Sequence, residues 1–492
     1  MYTKDWLSRW AVYSPDKTAI EEYEPDRSIS YDQLNRYACK LAHWLTQKGL
    51  TKGDRVFIIA EHSIEMVALF GAAQKTGIIL VPVNYRLAQP EIAYLAENSE
   101  PELILYEEQF TNKRPENLSN PTPPAMLMNQ LPEVNDNNYP ESFEAVLLSE
   151  QDPVFILYTS GTTGYPKGAL YTHGMLFWNS LNTGTSFSLT PDDHTVNCMP
   201  GFHTGGWNVL LTPMLHHGAT VGLVKKFDAG KMLRLLEARG STIFMGVPTM
   251  LKMMKQDPAY DAVRLERMKY LIVGGEAMPH PLIQAWHQKG VSIRQGYGLT
   301  EVGPNLTSLQ HRDAERKLGS IGRPNFYVQL ELFDDNFTPV PPGEIGECCL
   351  RGEAVTTGYW QNEEATRKSF RDGWFKTGDL MRRDEEGYLY VVDRKKAMFI
   401  SGGENVYPAE VERALVKASG VSEAAVVGVP DERWGEVGKA FLVVEEGTSL
   451  DAVREHCTAQ LAKFKVPRYF NCLAELPKNG SGKIDRKKLK EL

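Results

Sequence analysis

YTSGTTGYPKGA, from Tyr158 to Ala169, combines four small hydroxyl side chains with glycines and one lysine, directly after an apolar run. That run, PVFILY from Pro153 to Tyr158, predicts a buried strand. Glycines let a backbone turn tightly with its N–H groups directed inward, hydroxyls add donors, and a lysine adds positive charge. We therefore predict a loop that binds polyphosphate. The alternative is a flexible surface turn, but such turns rarely combine these residue types after a buried strand.

Two familiar phosphate motifs are absent from this stretch. The Walker loop needs a glycine at the position of Pro166. A dinucleotide-binding fold needs G-x-G-x-x-G after the strand, and none is present. The stretch therefore represents another kind of phosphate loop.

Four further motifs follow in order along the chain: QGYGLTE (Gln295–Glu301), GWFKTGDL (373–380), DRKKAMFISGGENVYPAEVE (393–412) and PKNGSGK (477–483). Together with the loop, they resemble the adenylate-forming superfamily, and within it the acyl-CoA synthetase branch. The resemblance extends from about residue 150 to the C-terminus. It implies an AMP-forming acid–thiol ligase that uses ATP, Mg²⁺ and coenzyme A.

Helical and strand patterns alternate in the first 110 residues. Helical spacing of apolar residues predicts a helix from Tyr31 to Gly49 and an amphipathic helix at Ile64–Thr76. Strands are predicted at Asp54–Ala60, Ile78–Val83 and Leu103–Tyr106. This repetition predicts a parallel, doubly wound sheet and an α/β fold class.

A chain of 492 residues is too long for one ordinary core, so we expect at least two domains. The resemblance implies a large N-terminal adenylation domain, residues 1–394, with doubly wound sheets and a β-rich subdomain. A small mobile α+β domain with a catalytic lysine, residues 395–492, is expected to follow it. Pro115–Glu141, rich in proline and asparagine, predicts a surface connection without a function of its own.

Composition and charge limit the class of protein. The net charge of −8 argues against a general nucleic-acid binder. The first residues have no continuous apolar core typical of a signal peptide, and no run approaches the roughly 20 apolar residues of a membrane helix. The six cysteines show neither zinc spacing nor a C-x-x-C pair, so reduced thiols are expected. We expect a soluble cytoplasmic protein; peripheral membrane association and a homodimer stay open.

For the nucleotide, the resemblance implies a set of binding residues. Glu301 resembles the magnesium carboxylate, which Thr163 would assist. Asp379 would bind both ribose hydroxyls, and Arg394 would add a charged donor. Glu276 departs from the family pattern, because relatives more often have a small residue at this position next to the adenine. The other expected contacts are Thr159, Ser160, Gly161, Thr162, Gly164 and Lys167 at the phosphates, and Gly274, Gly275, Ala277, Gln295, Gly296, Tyr297, Gly298, Leu299 and Thr300 around the adenine and acyl groups.

His203, in the sequence GFHTGGW, could be an ordinary core histidine. The resemblance instead implies a place beside the substrate carboxylate. Gly205 and Gly206 would then leave room for an acyl chain and Trp207 would wall the pocket, although Trp207 could equally be core packing. Val247 and Pro248 complete the expected pocket.

In the C-terminal region the resemblance implies a hinge at Lys396. The basic run 393–396 could also be a solvated linker. Lys483 would be the catalytic lysine of the first half-reaction, although lysine tails are usually only surface. Ser401, Gly402, Gly403 and Glu404 would line a pantetheine tunnel in the second half-reaction.

The leading hypothesis is a synthetase for a medium- or long-chain fatty acid. The alternatives are an aryl- or short-chain-acid–CoA ligase, and acyl transfer to a carrier protein. An amino-acid substrate is disfavoured because no aspartate stands between Phe202 and Leu211. A non-catalytic nucleotide-binding protein is disfavoured because the expected site residues are all present. Luciferase-type oxidation would differ only in light emission.

Overall fold

The computed structural model describes residues 3–116, 118, 122–159, 166–275, 278–401, 404–432, 434–461, 463–479 and 482–492. The chain divides into two units. The first comprises Met1–Gln329 and Leu350–Phe375, and the second comprises Leu330–Cys349 and Lys376–Leu492. The domain boundary at residue 394 stays a prediction.

The described helices alternate with strands along most of the chain. The helices are α1 (Trp6–Tyr13), α2 (Tyr31–Gln47), α3 (Ile64–Thr76), α4 (Gln89–Ser99), α5 (His173–Phe187), α6 (Leu211–His216), α7 (Ala229–Ala238), α8 (Pro248–Gln256), α9 (Ala259–Ala262), α10 (His280–Gln288), α11 (Glu363–Ser369), α12 (Pro408–Leu415), α13 (Leu450–Gln460) and α14 (Arg486–Glu491). No helix in these described ranges is long and apolar enough to cross a membrane.

The strands are β1 (Thr18–Tyr23), β2 (Asp26–Ser30), β3 (Arg55–Ile59), β4 (Ile79–Pro82), β5 (Leu103–Tyr106), β6 (Ala125–Leu127), β7 (Pro153–Thr159), β8 (Lys167–Thr172), β9 (His194–Asn197), β10 (Thr220–Leu223), β11 (Ile243–Gly246), β12 (Tyr270–Val273), β13 (Ile293–Tyr297), β14 (Thr307–Ser308), β15 (Arg323–Pro324), β16 (Gln329–Phe333), β17 (Ile345–Arg351), β18 (Phe370–Arg371), β19 (Trp374–Arg383), β20 (Leu389–Arg394), β21 (Phe399–Ser401), β22 (Glu404–Val406), β23 (Val421–Asp431), β24 (Gly435–Val444) and β25 (Tyr469–Cys472).

A six-stranded sheet in the first unit carries the predicted phosphate loop. Its order is β6-β5-β3-β4-β7-β8, and every pairing is parallel except that of β7 with β8. The predicted α/β class with parallel strands is confirmed. The apolar run that precedes the loop is the strand β7, whose residues Val154–Leu157 are buried.

Two predictions for this unit were wrong in part. We predicted an amphipathic helix at Ile64–Thr76, but α3 is buried on nearly every residue. The reason is that α3 packs against α2 as well as against strands β1, β4 and β7, so it has little solvent-facing surface. The segment Pro115–Glu141 is not only a surface connection, because Ala125–Leu127 pairs with β5 as an edge strand.

Two further sheets complete the first unit. One has the order β2-β1-β10-β9, and the other has the order β11-β12-β13-β14-β15. Within the second of these, β11, β12 and β13 are parallel. Parallel strands end at the same edge of a sheet, so residues that follow these three strands are brought together.

The second unit contains most of the remaining strands, whereas β18 belongs to the first unit. β19 and β20 pair antiparallel, with Asp379 opposite Arg394. A second sheet has the order β22-β21-β24-β23, and β25 pairs parallel with β24. Helices α12 and α14 pack against β23, which gives this part of the chain an α+β arrangement.

Candidate functional site

The two ends of the predicted phosphate loop are held together by strand pairing. Thr159 of β7 lies opposite Lys167 of β8. The intervening loop residues lie outside the described residues, and their roles stay predictions: Ser160, Gly161, Thr162, Thr163 and Gly164.

Glu301, the predicted magnesium carboxylate, is buried beside the start of this loop. Thr159 Oγ1 donates to Glu301 Oε1 at 3.4 Å, and Tyr359 Oη donates to the same oxygen at 3.1 Å. Lys167 Nζ lies 5.2 Å from the centre of the Tyr359 ring. Thr159, Glu301 and Lys167 were all identified from the sequence motifs. The structure groups them with Tyr359, which no motif identified.

The donors in this group suit a magnesium–nucleotide complex. A carboxylate and a threonine hydroxyl are hard oxygen ligands, and Mg²⁺ commonly takes one or two carboxylates together with substrate phosphates. In the described parts of the chain, there is no group of three or more His, Cys, Asp or Glu side chains that could hold a metal ion. The residues therefore fit Mg²⁺ that arrives with phosphate oxygens.

The carboxyl ends of β11, β12 and β13 form one edge of their sheet. Gly246 lies opposite Val273, and Val273 lies opposite Gln295. Open α/β sheets bind ligands at such an edge. The predicted residues in or directly after these strand ends are Val247, Pro248, Gly274, Gly275, Gln295, Gly296, Tyr297, Gly298, Leu299 and Thr300. Glu276 and Ala277 lie outside the described residues.

Gln295 also has a structural task. Its Oε1 accepts a hydrogen bond from the backbone N–H of Met278 at 3.0 Å, and it is almost fully buried. This bond connects β13 to the segment after β12, so it helps to hold the two strand ends at a fixed spacing.

The predicted carboxylate-pocket histidine lies in a tight turn. His203 N donates to Pro200 O at 3.1 Å, and Gly206 N donates to His203 O at 2.9 Å. The His203 ring is 4.7 Å from that of Phe202. His203 is only half-buried, which disfavours the alternative of a core histidine.

Trp207 lies in the hydrophobic core. Its side chain is fully buried, its Nε1 donates to Gly201 O at 2.6 Å, and its ring is 5.0 Å from that of Phe155. A Cβ on Gly206 would lie 2.2 Å from Pro200 O. Packing alone therefore accounts for the presence of Trp207 and Gly206. For Trp207, core packing is one of the two alternatives that the sequence left open. A role for them in an acyl pocket stays a prediction.

Asp379 and Arg394, predicted to hold the ribose, are direct partners in the second unit. Arg394 Nε lies 2.6 Å from Asp379 Oδ1, with the carboxylate nearly buried and the guanidinium half-exposed. The N–H of Asp379 donates to Thr377 Oγ1 at 3.0 Å. The carboxylate is thus fixed in orientation before any ligand binds.

The predicted hinge residue Lys396 lies in a hydrogen-bonded turn. The N–H groups of Ala397 and Met398 both donate to Arg394 O, at 2.9 and 3.2 Å. Lys396 is exposed.

The basic run 393–396 is not simply a solvated linker. Lys395 Nζ bonds to Asp335 and Glu347 at 2.8 and 3.0 Å. Burial raises the pKa of Asp393, whose Oδ2 accepts from the N–H of Ala409 at 2.8 Å. The run is therefore anchored to the second unit on both sides of Arg394.

The remaining C-terminal residues lie in two short segments of the second unit. Ser401 and Glu404 are opposite each other in the β21–β22 pair, and Gly402 and Gly403 between them lie outside the described residues. Lys483 is exposed, and its carbonyl accepts from the N–H of Asn479 at 2.8 Å. This bond links the backbone of Lys483 to that of Asn479.

Sequence reasoning missed Tyr359 and His62. Tyr359 lies in TTGYW, residues 356–360, which no motif marked. His62 is buried with its ring 5.2 Å from that of Trp207, and burial lowers its pKa to about 4. Neither residue has a local sequence signal, because their neighbours come from distant parts of the chain.

Comparison with known proteins identifies the family. Residues 7–360 match the model of the AMP-binding enzyme family, and residues 410–483 match that of the AMP-binding enzyme C-terminal domain. The chain is therefore a member of the AMP-binding enzyme family.

The relatives define the type of enzyme more closely. The chain is 37% identical to indoleacetate–CoA ligase of Aromatoleum aromaticum, covering 100% of this chain and 98% of the relative. It is 34% identical to long-chain-fatty-acid–CoA ligase FadD13 of Mycobacterium tuberculosis, covering 99% and 97%. The solved O-succinylbenzoate coenzyme A synthetase from Bacillus subtilis, in complex with ATP and magnesium ion, superposes with a TM-score of 0.88 at 30% identity, covering 99% of both chains.

These findings confirm the predicted class, an AMP-forming acid–CoA ligase, and its predicted ligands ATP, Mg²⁺ and coenzyme A. The acids that these relatives act on differ widely, so the class does not fix the substrate.

Proposed function

We propose that the chain activates an aryl-substituted carboxylic acid with ATP and then forms its thioester with coenzyme A. The observation that carries the chemistry is the contact of Glu301 with Thr159, beside Lys167. The three side chains offer a carboxylate, a hydroxyl and an ammonium, which are the groups needed to hold a magnesium polyphosphate.

The first half-reaction overcomes the low reactivity of a carboxylate. Its negative charge repels nucleophiles, and oxide is a very poor leaving group. Attack of the carboxylate oxygen on the α-phosphorus of ATP forms an acyl-adenylate and releases pyrophosphate. Glu301 and Thr163 would hold Mg²⁺, which when bound would supply positive charge to the leaving pyrophosphate. Lys167 is proposed to add positive charge to the same region.

Lys483 is the proposed catalytic cation of this step. An ammonium that touches both the carboxylate and the α-phosphate oxygens would stabilise charge as it moves in the transition state and align the reactants. His203 is proposed to orient the carboxylate. Asp379 and Arg394 are proposed to hold the ribose.

In the second half-reaction, the thiol of coenzyme A attacks the acyl carbon and AMP leaves. We propose that the turn at Lys396 is the hinge for a movement between the two half-reactions. Ser401–Glu404 would then line the pantetheine path.

One observation supports an aryl acid over a long-chain fatty acid. The whole-chain identity to indoleacetate–CoA ligase is 37%, against 34% to the fatty-acid ligase. The predicted pocket around Gly205, Gly206 and Trp207 does not separate the two, because the sequence argument for it applied to a fatty acid and to an aryl acid alike.

A medium- or long-chain fatty acid is the second candidate, supported by the likeness to FadD13 over nearly the whole chain. Transfer to a carrier protein instead of free coenzyme A is the third. A cytoplasmic location is proposed as well, because all six cysteines are free thiols and five of them are buried.

The test is pyrophosphate release with ATP, Mg²⁺ and a panel of acids, each with and without coenzyme A. The panel contains indoleacetate, phenylacetate, ferulate, succinylbenzoate and fatty acids of about 8 to 16 carbons. Mass spectrometry identifies the thioester. Turnover that depends on coenzyme A and is highest with an aryl acid is the expected result. If turnover is highest with a fatty acid, the proposed aryl substrate is wrong. Pyrophosphate release that does not require coenzyme A would favour a carrier protein as the acceptor. No pyrophosphate release with any acid would contradict the proposed ligase reaction.

A further inference from the structure

Tyr359 contacts both charged side chains that the proposed reaction needs at the phosphates. Its hydroxyl donates to Glu301 Oε1 at 3.1 Å, and its ring centre lies 5.2 Å from Lys167 Nζ. We propose that Tyr359 is a positioning residue that sets the orientation of the magnesium carboxylate and of the phosphate-binding lysine. The inference rests on the proposed function of these two residues.

The segment that carries Tyr359 is fixed to the strand after the phosphate loop. Tyr359 forms a bridge with Ala169, Leu170 N donates to Gly358 O at 3.0 Å, and Trp360 N donates to Gly168 O at 2.8 Å. The tyrosine therefore keeps its place relative to β8, the strand that begins with Lys167.

The same segment is also fixed to Glu301 through the backbone. Thr356 N donates to Glu301 O at 2.7 Å, so both the main chain and the side chain of Glu301 are bonded to residues 356–360. Tyr359 N in turn donates to Thr366 Oγ1 at 2.9 Å. Such double attachment restricts the rotation of the carboxylate more than the single long bond from Thr159 could.

The Tyr359 side chain thus contacts two groups of opposite charge, the Glu301 carboxylate and the Lys167 ammonium, through different parts of its phenol group. The hydroxyl offers a donor to the carboxylate, and the face of the ring attracts the ammonium. Neither the hydroxyl nor the ring carries a net charge, so Tyr359 contacts the carboxylate and the ammonium without forming an ion pair with either of them. A direct Lys167–Glu301 pair would instead have to be broken before a magnesium–nucleotide could bind.

The two contacts can be removed one at a time. Tyr359→Phe removes the donor to Glu301 and keeps the ring for Lys167, whereas Tyr359→Leu removes both. Tyr158→Phe is the matched control, because the Tyr158 hydroxyl bonds to Asn98 Oδ1 at 2.7 Å. It removes a tyrosine hydroxyl from the strand that leads into the loop without touching Glu301.

The readout is equilibrium binding of a non-hydrolysable ATP analogue by calorimetry, with EDTA and across a Mg²⁺ titration. For Tyr359→Phe we expect the Mg²⁺ concentration at half-saturation to rise about tenfold, since loss of a group that orients a metal ligand commonly weakens binding by that order. Its metal-free nucleotide affinity should stay unchanged. Tyr359→Leu should also lose several-fold in metal-free affinity, because the ammonium loses the ring. Tyr158→Phe should match the wild type.

Melting temperatures establish that the variants are folded. A folded Tyr359→Phe with the wild-type Mg²⁺ dependence would overturn the inference alone. An equal rise in the Mg²⁺ concentration at half-saturation in Tyr158→Phe would also overturn the inference. The effect would then come from disturbing strand β7 and not from the loss of the contact with Glu301. A wild-type protein without Mg²⁺-dependent nucleotide binding would overturn the proposed function, and this inference with it.

Discussion

Arg394 Nε lies 2.6 Å from Asp379 Oδ1, across the paired strands β19 and β20. The Asp379 side chain is nearly buried, but about half of the Arg394 side chain is exposed. The pair therefore fixes the carboxylate and leaves a cation at the surface beside it.

The first prediction concerns this pair. Arg394→Ala should raise the KM for ATP about tenfold, because the carboxylate loses both its fixed orientation and the nearby charged donor. The kcat at saturating ATP should fall less. Arg382→Ala is the control, because Arg382 lies exposed on β19, the strand of Asp379, with its guanidinium over the Tyr390 ring. Equal effects of the two substitutions would exclude a specific role of Arg394 in nucleotide binding.

The second prediction concerns Lys483. Lys483→Ala should slow acyl-adenylate formation by about two to four orders of magnitude, as expected when a cation at a charged transition state is lost. Thioester formation from preformed acyl-adenylate should be retained. Pyrophosphate release and thioester synthesis are measured separately, with exposed Lys487→Ala as control. Similar losses in both half-reactions would contradict the assignment.

The third prediction compares two neighbouring glycines. A Cβ on Gly206 would meet Pro200 O at 2.2 Å, whereas the nearest atom to a Cβ on Gly205 is Met199 Cε at 3.8 Å. Gly206→Ala should therefore destabilise the fold by about 1–3 kcal/mol, and Gly205→Ala should leave stability nearly unchanged. Thermal unfolding measures both. If the two variants had the same stability, the tight turn at Pro200 would not be a constraint.

The fourth prediction concerns pH. Burial lowers the pKa of His62 to about 4 and of His173 and His216 to about 3, below the ordinary value near 6.5. At pH 5 the unfolded chain binds protons at these positions and the folded chain does not, so unfolding takes up protons. Stability should fall as the pH drops below 6.5 toward 4, with about 1.4 kcal/mol per pH unit from each histidine.

This pH dependence can be assigned to individual residues. Both ring nitrogens of His173 are buried without a hydrogen-bond partner among the described residues, so His173→Gln should reduce the pH slope of stability by about one proton. The control is His43→Gln, at a partly exposed position of α2 that bonds to Ser142 O. Urea unfolding between pH 7 and 5 gives the slopes. An unchanged slope in His173→Gln would show that this histidine is protonated in the folded chain.

Much of the local structure followed from sequence patterns. The helix at Ile64–Thr76 and the strand at Leu103–Tyr106 have the predicted bounds. Periodicity of apolar residues fixes such elements because it reports which faces of a segment are buried. It did not show that α3 is covered on all sides, since that depends on elements far away in the chain.

The candidate site was predicted in its parts but not in its connections. Glu301, Lys167 and Thr159 were identified from motifs, and the structure adds the tyrosine that links them. Tyr359 is 58 residues from Glu301 in the chain, so no local pattern could indicate their contact.

The sequence by itself determined the class of enzyme, the order of its elements and the residues with suitable chemistry, because motifs and periodicity are local properties of the chain. Only the tertiary structure decided that Trp207 belongs to the core, that Gly206 is required by Pro200, and that Tyr359 lies beside Glu301 and Lys167. Packing and hydrogen bonding join residues that are distant in sequence, and the free energy of such contacts depends on their geometry in the folded chain.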